Sequence, residues 1–437
     1  MEKNSYYIET YGCTSNKADS YIISSILNKA GYFQKNLEEA EFVFINTCAV
    51  KQQTENKIKS RLKELYSTYK KEVNKYFLIA GCLPHIGDNY IDVVKNIIPN
   101  FSAIIDLDNL DDIPVILKDI KSGKKNLIIK SKATIDKSKF LIDYPKGKIT
   151  GIVPISEGCL GACTYCCVKN ARGRLNCYNP QNIIKNITHQ LRQGIKQIYL
   201  TSQDCSTYEY ENIKLVDLIS VIAELDYKFF LRVGMLNPRF LVDEFEQLIS
   251  IFKFKKVYQF LHVPIQSGSD SVLKLMNRSY NVPEITDKLK VLREEFPLLT
   301  ISTDIICGFP GETEEDFNQT VNLIKWLKPE ILNVSKFTPR PGTKAKSMEQ
   351  VNSKIIKKRS TILSMVFRES LNKINNNWRD WEGEVLVLHK GFKVNQAFGR
   401  NFAYKNIFIE NFKGIYGSFV NARIYKVNGF NLFAELI

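Results

Sequence analysis

SEGCLGACTYCCVKNARGR, residues 156–174, packs four thiols into nine residues and follows them with Lys169, Arg172 and Arg174. Cys159, Cys163 and Cys166 stand as Cys-x3-Cys-x2-Cys, with Cys167 touching the third. Three thiolates on one loop hold three corners of an iron–sulfur cube and leave the fourth iron open to a small molecule, whereas electron-carrier clusters use four. Zinc is the competing metal and prefers a fourth Cys or His. No second Cys-x2-Cys or His-x3-His completes such a set, and the nearby His189 lies in a helix-like run. The loop follows the strand-like GIVPISE, and five more strand signals alternate with helical ones after it: QIYLTSQD, FFLRVGML, YQFLHVPIQ, ISTDIICGF and ILNVSKFTP. This alternation predicts a parallel (βα) barrel, closed or incomplete, with its chemistry at the strand C-terminal ends.

Upstream, residues 1–125 read as a separate parallel α/β domain. Three strand-like runs end directly on a cysteine: YIETYGC on Cys13, FVFINTC on Cys48 and FLIAGC on Cys82. Strand C-termini share one edge of a parallel sheet, so these thiols are expected to meet there. Residues 125–150, rich in Lys and Asp, look like a linker into a central domain of residues 145–375. The tail, residues 376–437, changes to short alternating strands, with Asn428-Gly429 as a hairpin signal. It fits a small barrel of the kind that holds RNA.

Composition narrows the classes. The chain has 437 residues, long enough for two or three domains. Its formal charge is +15, which points to a polyanionic partner or follows from a chain rich in Asn, Ile and Lys. Between Lys336 and Arg379 stand 11 basic residues and two acidic ones. No apolar run nears the roughly 18 residues that cross a bilayer, and Met1-Glu2-Lys3-Asn4 opens no signal peptide. Ten cysteines without an export signal suit reduced thiols in a cytoplasm, used for metal or catalysis rather than disulfides.

Cys-x3-Cys-x-aromatic-Cys at the end of a first barrel strand resembles the radical S-adenosylmethionine (SAM) family. The resemblance extends along the chain to the methylthiotransferases through TYGCTSNKADS, NTCAV, AGC, LTSQD, HVPIQSGSDSVLKLMNR, GFPGETEEDF and FTPRPGT. It implies a [4Fe-4S] cluster on Cys159, Cys163 and Cys166 whose open iron binds SAM, cleaved by one electron to methionine and a 5′-deoxyadenosyl radical. It also implies a second [4Fe-4S] cluster on Cys13, Cys48 and Cys82 that carries sulfide, since one cluster does not easily both abstract hydrogen and donate sulfur. The tail resembles an RNA-binding TRAM domain. The partners implied are a tRNA and an electron donor from outside the chain, with no membrane.

Barrel strand ends are then expected to contact SAM: Gln203 its amino group, Arg232, Gln266, Ser267 and Arg278 its carboxylate or ribose, and Ile306 its adenine. Cys167, Cys177, Cys205 and Cys307 are expected to be structural, as is His262. Phe392, Phe398, Phe402 and Tyr404 are either base-stacking residues or core of the tail. VKNARGRLNCYNP, with Lys169-Asn170 where other branches tend to carry Pro, resembles the archaeal and eukaryotic branch acting on N6-threonylcarbamoyladenosine, at position 37 beside the anticodon. Lys169, Arg172 and Arg174 are the cations expected for that substrate's carboxylate, with service to SAM itself as the alternative for Arg172. Other outcomes open to such a chain are methylthiolation of isopentenyladenosine or of a ribosomal-protein aspartate, simple methylation, or an RNA-binding iron–sulfur sensor without turnover. A sensor needs no barrel and no second open cluster.

Overall fold

The computed structural model describes residues 4–437 apart from Asp88, Lys132 and the side chain of Asn372. Strands β1 (Ser5–Thr10), β2 (Phe33–Gln34), β3 (Phe42–Thr47), β4 (Tyr76–Gly81), β5 (Ala103–Ile105) and β6 (Leu127–Ile129) form a parallel sheet in the order β2-β1-β3-β4-β5-β6. Period-two alternation feeds two cores. Phe42, Phe44, Leu78 and Ala80 pack with Ile22, Ile23 and Leu117 on one face. Val43, Ile45, Phe77 and Ile79 pack with Ile58, Leu62 and Val94 on the other. Burial on both faces explains why β3 reads FVFINT with every position buried.

The stretch read as a linker is part of the packed structure. Leu127–Ile129 completes the sheet as β6, and Lys137 and Ile142 are fully buried. Lys and Asp look like linker residues, but here they enter ion pairs that a one-dimensional pattern does not reveal.

The central domain has the six expected strands: β7 (Thr150–Pro154), β8 (Gln197–Thr201), β9 (Phe230–Arg232), β10 (Phe260–His262), β11 (Thr300–Cys307) and β12 (Ile331–Lys336). They form parallel sheets β9-β8-β7 and β10-β11-β12, joined by parallel bridges at Leu231–Val257 and Met235–His262. Among the described residues β7 and β12 do not pair, so the barrel is incomplete and open along one side.

The helix Ser353–Asn376 leads to a closed five-stranded barrel of β13 (Glu382–Lys390), β14 (Ala397–Arg400), β15 (Asn406–Ile409), β16 (Phe419–Asn428) and β17 (Asn431–Leu436). Asn428 pairs with Asn431 across the hairpin, leaving Gly429 at the first central turn position with φ 57°. The tail docks on the N-terminal ends of the central strands: Gln259 N–H donates to the Phe402 carbonyl and Thr300 Oγ1 to that of Ala403. Tyr404 packs against Tyr258 and Phe260, so it and Phe402 serve the interior. Phe392 remains exposed and stacks on Phe408, while Phe398 stacks on His389. No helix among the described residues is long and apolar enough to cross a membrane.

Candidate functional site

Register brings the first three thiols together. Thr47 aligns with Gly81 and Thr10 with Asn46, so Cys48 and Cys82 leave neighbouring strands at the same level. Cys13 stands at the N-terminal boundary of the helix Thr14–Lys29, its side chain making no capping hydrogen bond. Gly12 (φ 103°) and Gly81 (φ 91°) turn the chain just before Cys13 and Cys82, in the left-handed region that disfavours side chains. A Cβ on Gly12 would lie 2.6 Å from Cys48 Sγ. Asn16 sits at the centre: its Nδ2 donates to the carbonyls of Tyr11 and Thr47, while its Oδ1 lies 3.6 Å from Cys13 Sγ and 3.9 Å from Cys82 Sγ. Burial pushes the Cys82 thiol up to about 11 and raises Cys48.

The second three-thiol loop closes the top of β7. Gly161 N–H donates to Cys159 Sγ at 3.2 Å, and a Cβ on Gly161 would lie against both Cys159 and Cys163 sulfurs. Arg278 Nη1 donates to Cys163 Sγ at 3.4 Å, placing that residue at the loop as expected. Gln203 is also at its base, accepting from Gly158 N–H at 2.7 Å and reaching Ser15 Oγ at 3.5 Å. Tyr165 and Ile306 share one apolar cluster with Phe309 and Phe337, an apolar wall beside the thiols. Gln266 holds a left-handed φ of 73° and bonds through its backbone to Asp304 and Ile306.

Two expected SAM contacts are not brought to this loop. Ser267 is fully buried, with its hydroxyl against Thr320 and the Ser269 amide. Arg232 lies over the rings of Tyr199, Phe260 and Tyr404, near the tail. The bystanders behave as expected for the most part. Cys205 and Cys307 are buried, and the Cys167 thiol donates to the Ala49 carbonyl; Cys177 is only partly buried. His189 pairs with Asp143 and His262 with Asp304.

Arg172 requires the largest correction. It is buried, so it does not face a substrate cavity. Its Nε donates to Cys82 Sγ (3.2 Å), its Nη2 to Asn16 Oδ1 (2.6 Å) and Asp19 Oδ2 (2.8 Å), and its Nη1 to Glu157. Lys137 closes the network through Asp19 and Glu157. Burial opposes the charge on Glu157, yet Lys137 and Arg172 hold its carboxyl below the usual range. Breaking such a buried pair costs about 3–5 kcal/mol, so Arg172 is committed to this network. Lys169 reaches the Gly161 carbonyl at 3.4 Å, and Arg174 is exposed. A second arginine, Arg340, crosses to the N-terminal domain, donating to the Ala49 carbonyl, Gln52 and Glu55. Nine of the 11 basic residues between Lys336 and Arg379 are exposed; Arg340 and Arg359 are the buried two.

The Radical SAM superfamily model matches residues 153–324, and that of Uncharacterized protein family UPF0004 matches residues 5–99. A probable threonylcarbamoyladenosine tRNA methylthiotransferase of Pyrococcus horikoshii is 37% identical over 99% of both chains. The Homo sapiens threonylcarbamoyladenosine tRNA methylthiotransferase is 33% identical over 96% of this chain and 72% of its own. The chain belongs to the threonylcarbamoyladenosine tRNA methylthiotransferase family. The radical SAM methyltransferase TsrM of Kitasatospora setae shares its fold, with TM-score 0.58 at 12% identity over 79% of this chain and 74% of that one. As a radical SAM family, these methylthiotransferases imply a [4Fe-4S] cluster and SAM. The donor set fits such a group: three thiols on a short loop, amide and guanidinium donors aimed at two of them, and a glycine where a Cβ would crowd the sulfurs. Among the described residues no three His, Cys, Asp or Glu side chains are drawn together for a single metal ion. Cluster thiolates need no such convergence, because each binds a different iron.

Proposed function

We propose that this chain methylthiolates C2 of N6-threonylcarbamoyladenosine at position 37 of a cytoplasmic tRNA, with one [4Fe-4S] cluster on Cys159, Cys163 and Cys166 and a second on Cys13, Cys48 and Cys82. The observation that carries it is the pairing of two three-thiol sites, on separate domains, across one buried arginine. Bound there, the clusters and SAM supply a hydrogen-abstracting radical and a sulfur source. The chain's own residues do the positioning. Arg278 and Gly161 orient Cys163 and Cys159; Tyr165 and Ile306 line an apolar wall that limits water. Gln203, Gln266 and Arg278 are the SAM contacts this placement favours.

A track for RNA supports the substrate class. A cleft of about 540 Å³ runs from Thr14 and Lys17, beside Cys13, to Thr150 on the edge strand β7 and Tyr199 on its neighbour β8. A second cleft shares Lys148, Thr150 and Tyr199 and continues to His389, Phe398 and Arg400 on the tail. Cations with stackable rings suit a backbone carrying unstacked bases. With Arg172 committed elsewhere, Lys169 and Arg174 are the loop cations left for the threonyl carboxylate.

Burying an unpaired carboxylate, or leaving a pocket cation unpaired, costs several kcal/mol, so discrimination on the order of 100-fold is expected between modified adenosines. Mass spectrometry of digested tRNA should show a 2-methylthio group on threonylcarbamoyladenosine and about 100-fold less on isopentenyladenosine. Comparable product on the latter, or product on a ribosomal protein instead, overturns the substrate assignment. The second cluster has its own test: Gly12→Ala puts a Cβ 2.5 Å from that of Cys48. Reconstituted anaerobically, this variant should fall from about eight irons per chain to about four. Full iron content in Gly12→Ala removes that glycine from the proposed cradle.

A further inference from the structure

Arg172 stands six residues beyond Cys166, at the end of the short helix Val168–Arg172, yet its guanidinium lies in the other three-thiol site. Its donors reach four acceptors on two domains: Cys82, Asn16 and Asp19 from the N-terminal domain, and Glu157 from the central domain. Lys137 balances one of the two carboxylates and Arg172 the other, but charge balance alone does not call for a guanidinium whose Nε also meets the Cys82 sulfur. What arginine adds is a rigid planar fork that keeps Nε on the sulfur while both Nη groups hold oxygen; an ammonium is a single point charge and does not span these positions.

We propose that Arg172 is the positioning residue of the second cluster, polarising its Cys82 ligand through the Nε–H···Sγ bond while fixing that site against the radical-cluster loop. The inference rests on the reading that Cys13, Cys48 and Cys82 hold a cluster. Hydrogen bonds to cluster sulfurs withdraw negative charge and favour the reduced form, so the bond makes the potential of this cluster more positive. The same side chain gives the two thiol sites a fixed spacing. Arg340 provides a natural comparison: it clamps the Ala49 carbonyl beside Cys48, but the sulfur it meets is Cys167, outside both ligand sets.

The test uses the full-length chain carrying Cys159→Ala, Cys163→Ala and Cys166→Ala, so that only the second cluster assembles, and titrates its potential by electron paramagnetic resonance. Arg172→Lys should shift the midpoint to more negative potential, whereas Arg340→Lys should leave it in place. If Arg172→Lys does not fold, Arg172→Met with Glu157→Gln removes one cation and one anion together and should shift the midpoint the same way. An unchanged or more positive midpoint overturns the proposal, as does an equal shift from Arg340→Lys, which would signal general loosening. A parent protein that assembles no cluster at all overturns the two-cluster reading itself, a different result from a cluster whose potential ignores residue 172.

Discussion

Cys163→Ala should abolish 5′-deoxyadenosine formation. Cys163 shares the space around Gly161 with Cys159, and its sulfur takes a hydrogen bond from Arg278 at 3.4 Å. Two remaining thiolates do not retain a cube that already leaves one iron open. Removing a partner outside the ligand set costs a metal site about 10–100-fold in affinity, so losing a ligand should reduce SAM cleavage by more than about 100-fold. The fold should survive, because Arg278 keeps Tyr280 (2.8 Å) and the Pro264 carbonyl (3.2 Å) as partners. Iron should then drop from about eight to about four per chain rather than to none, since the other site lies on a different sheet. Chromatography of the SAM products measures it. Cleavage at the wild-type rate in a variant holding only the N-terminal cluster would reverse the roles of the two sites.

Much of this was legible because the decisive signals are local. Strand runs ending on Cys13, Cys48 and Cys82 foretold a shared sheet edge, and a spacing of three and two residues foretold a single loop. The failures lie where at least one deciding contact is remote in sequence, as Arg172 is from Asp19, 153 residues away. Arg172 looked like a free cation because the acids that claim it, Asp19 and Glu157, stand on another domain and on the strand side of the same loop. Lys137 looked like linker for the same reason. Asn16 and Arg340 had no signal of their own beyond lying inside TYGCTSNKADS and FTPRPGT. Arg232 looked like a strand-end ligand, but its register with Tyr199 and the rings around it set it toward the tail. Burial and pairing across domains depend on the assembled fold, and local periodicity carries no record of them.

Cys48→Ala should separate the two halves of the reaction that Cys163→Ala stops at the first. Cys48 is buried beside Gly12, and shortening it to Ala removes the sulfur while adding no atom to a crowded turn. Arg172 keeps Cys82, Asn16, Asp19 and Glu157, so the buried ion network and the docking of the sheet on the barrel are not disturbed. Cys159 retains its donor from Gly161 and Cys163 its donor from Arg278, beside an unaltered Cys166. SAM cleavage should therefore persist, while 2-methylthio product falls by more than about 100-fold through loss of a ligand at the sulfur site. The informative quantity is the ratio of methylthio nucleoside to 5′-deoxyadenosine, measured on the same reaction: it should collapse in Cys48→Ala, whereas in Cys163→Ala both terms vanish together. Product at the wild-type ratio would mean that sulfur does not come from the Cys13, Cys48 and Cys82 site, and the chain would be a radical SAM enzyme whose N-terminal thiols serve structure alone.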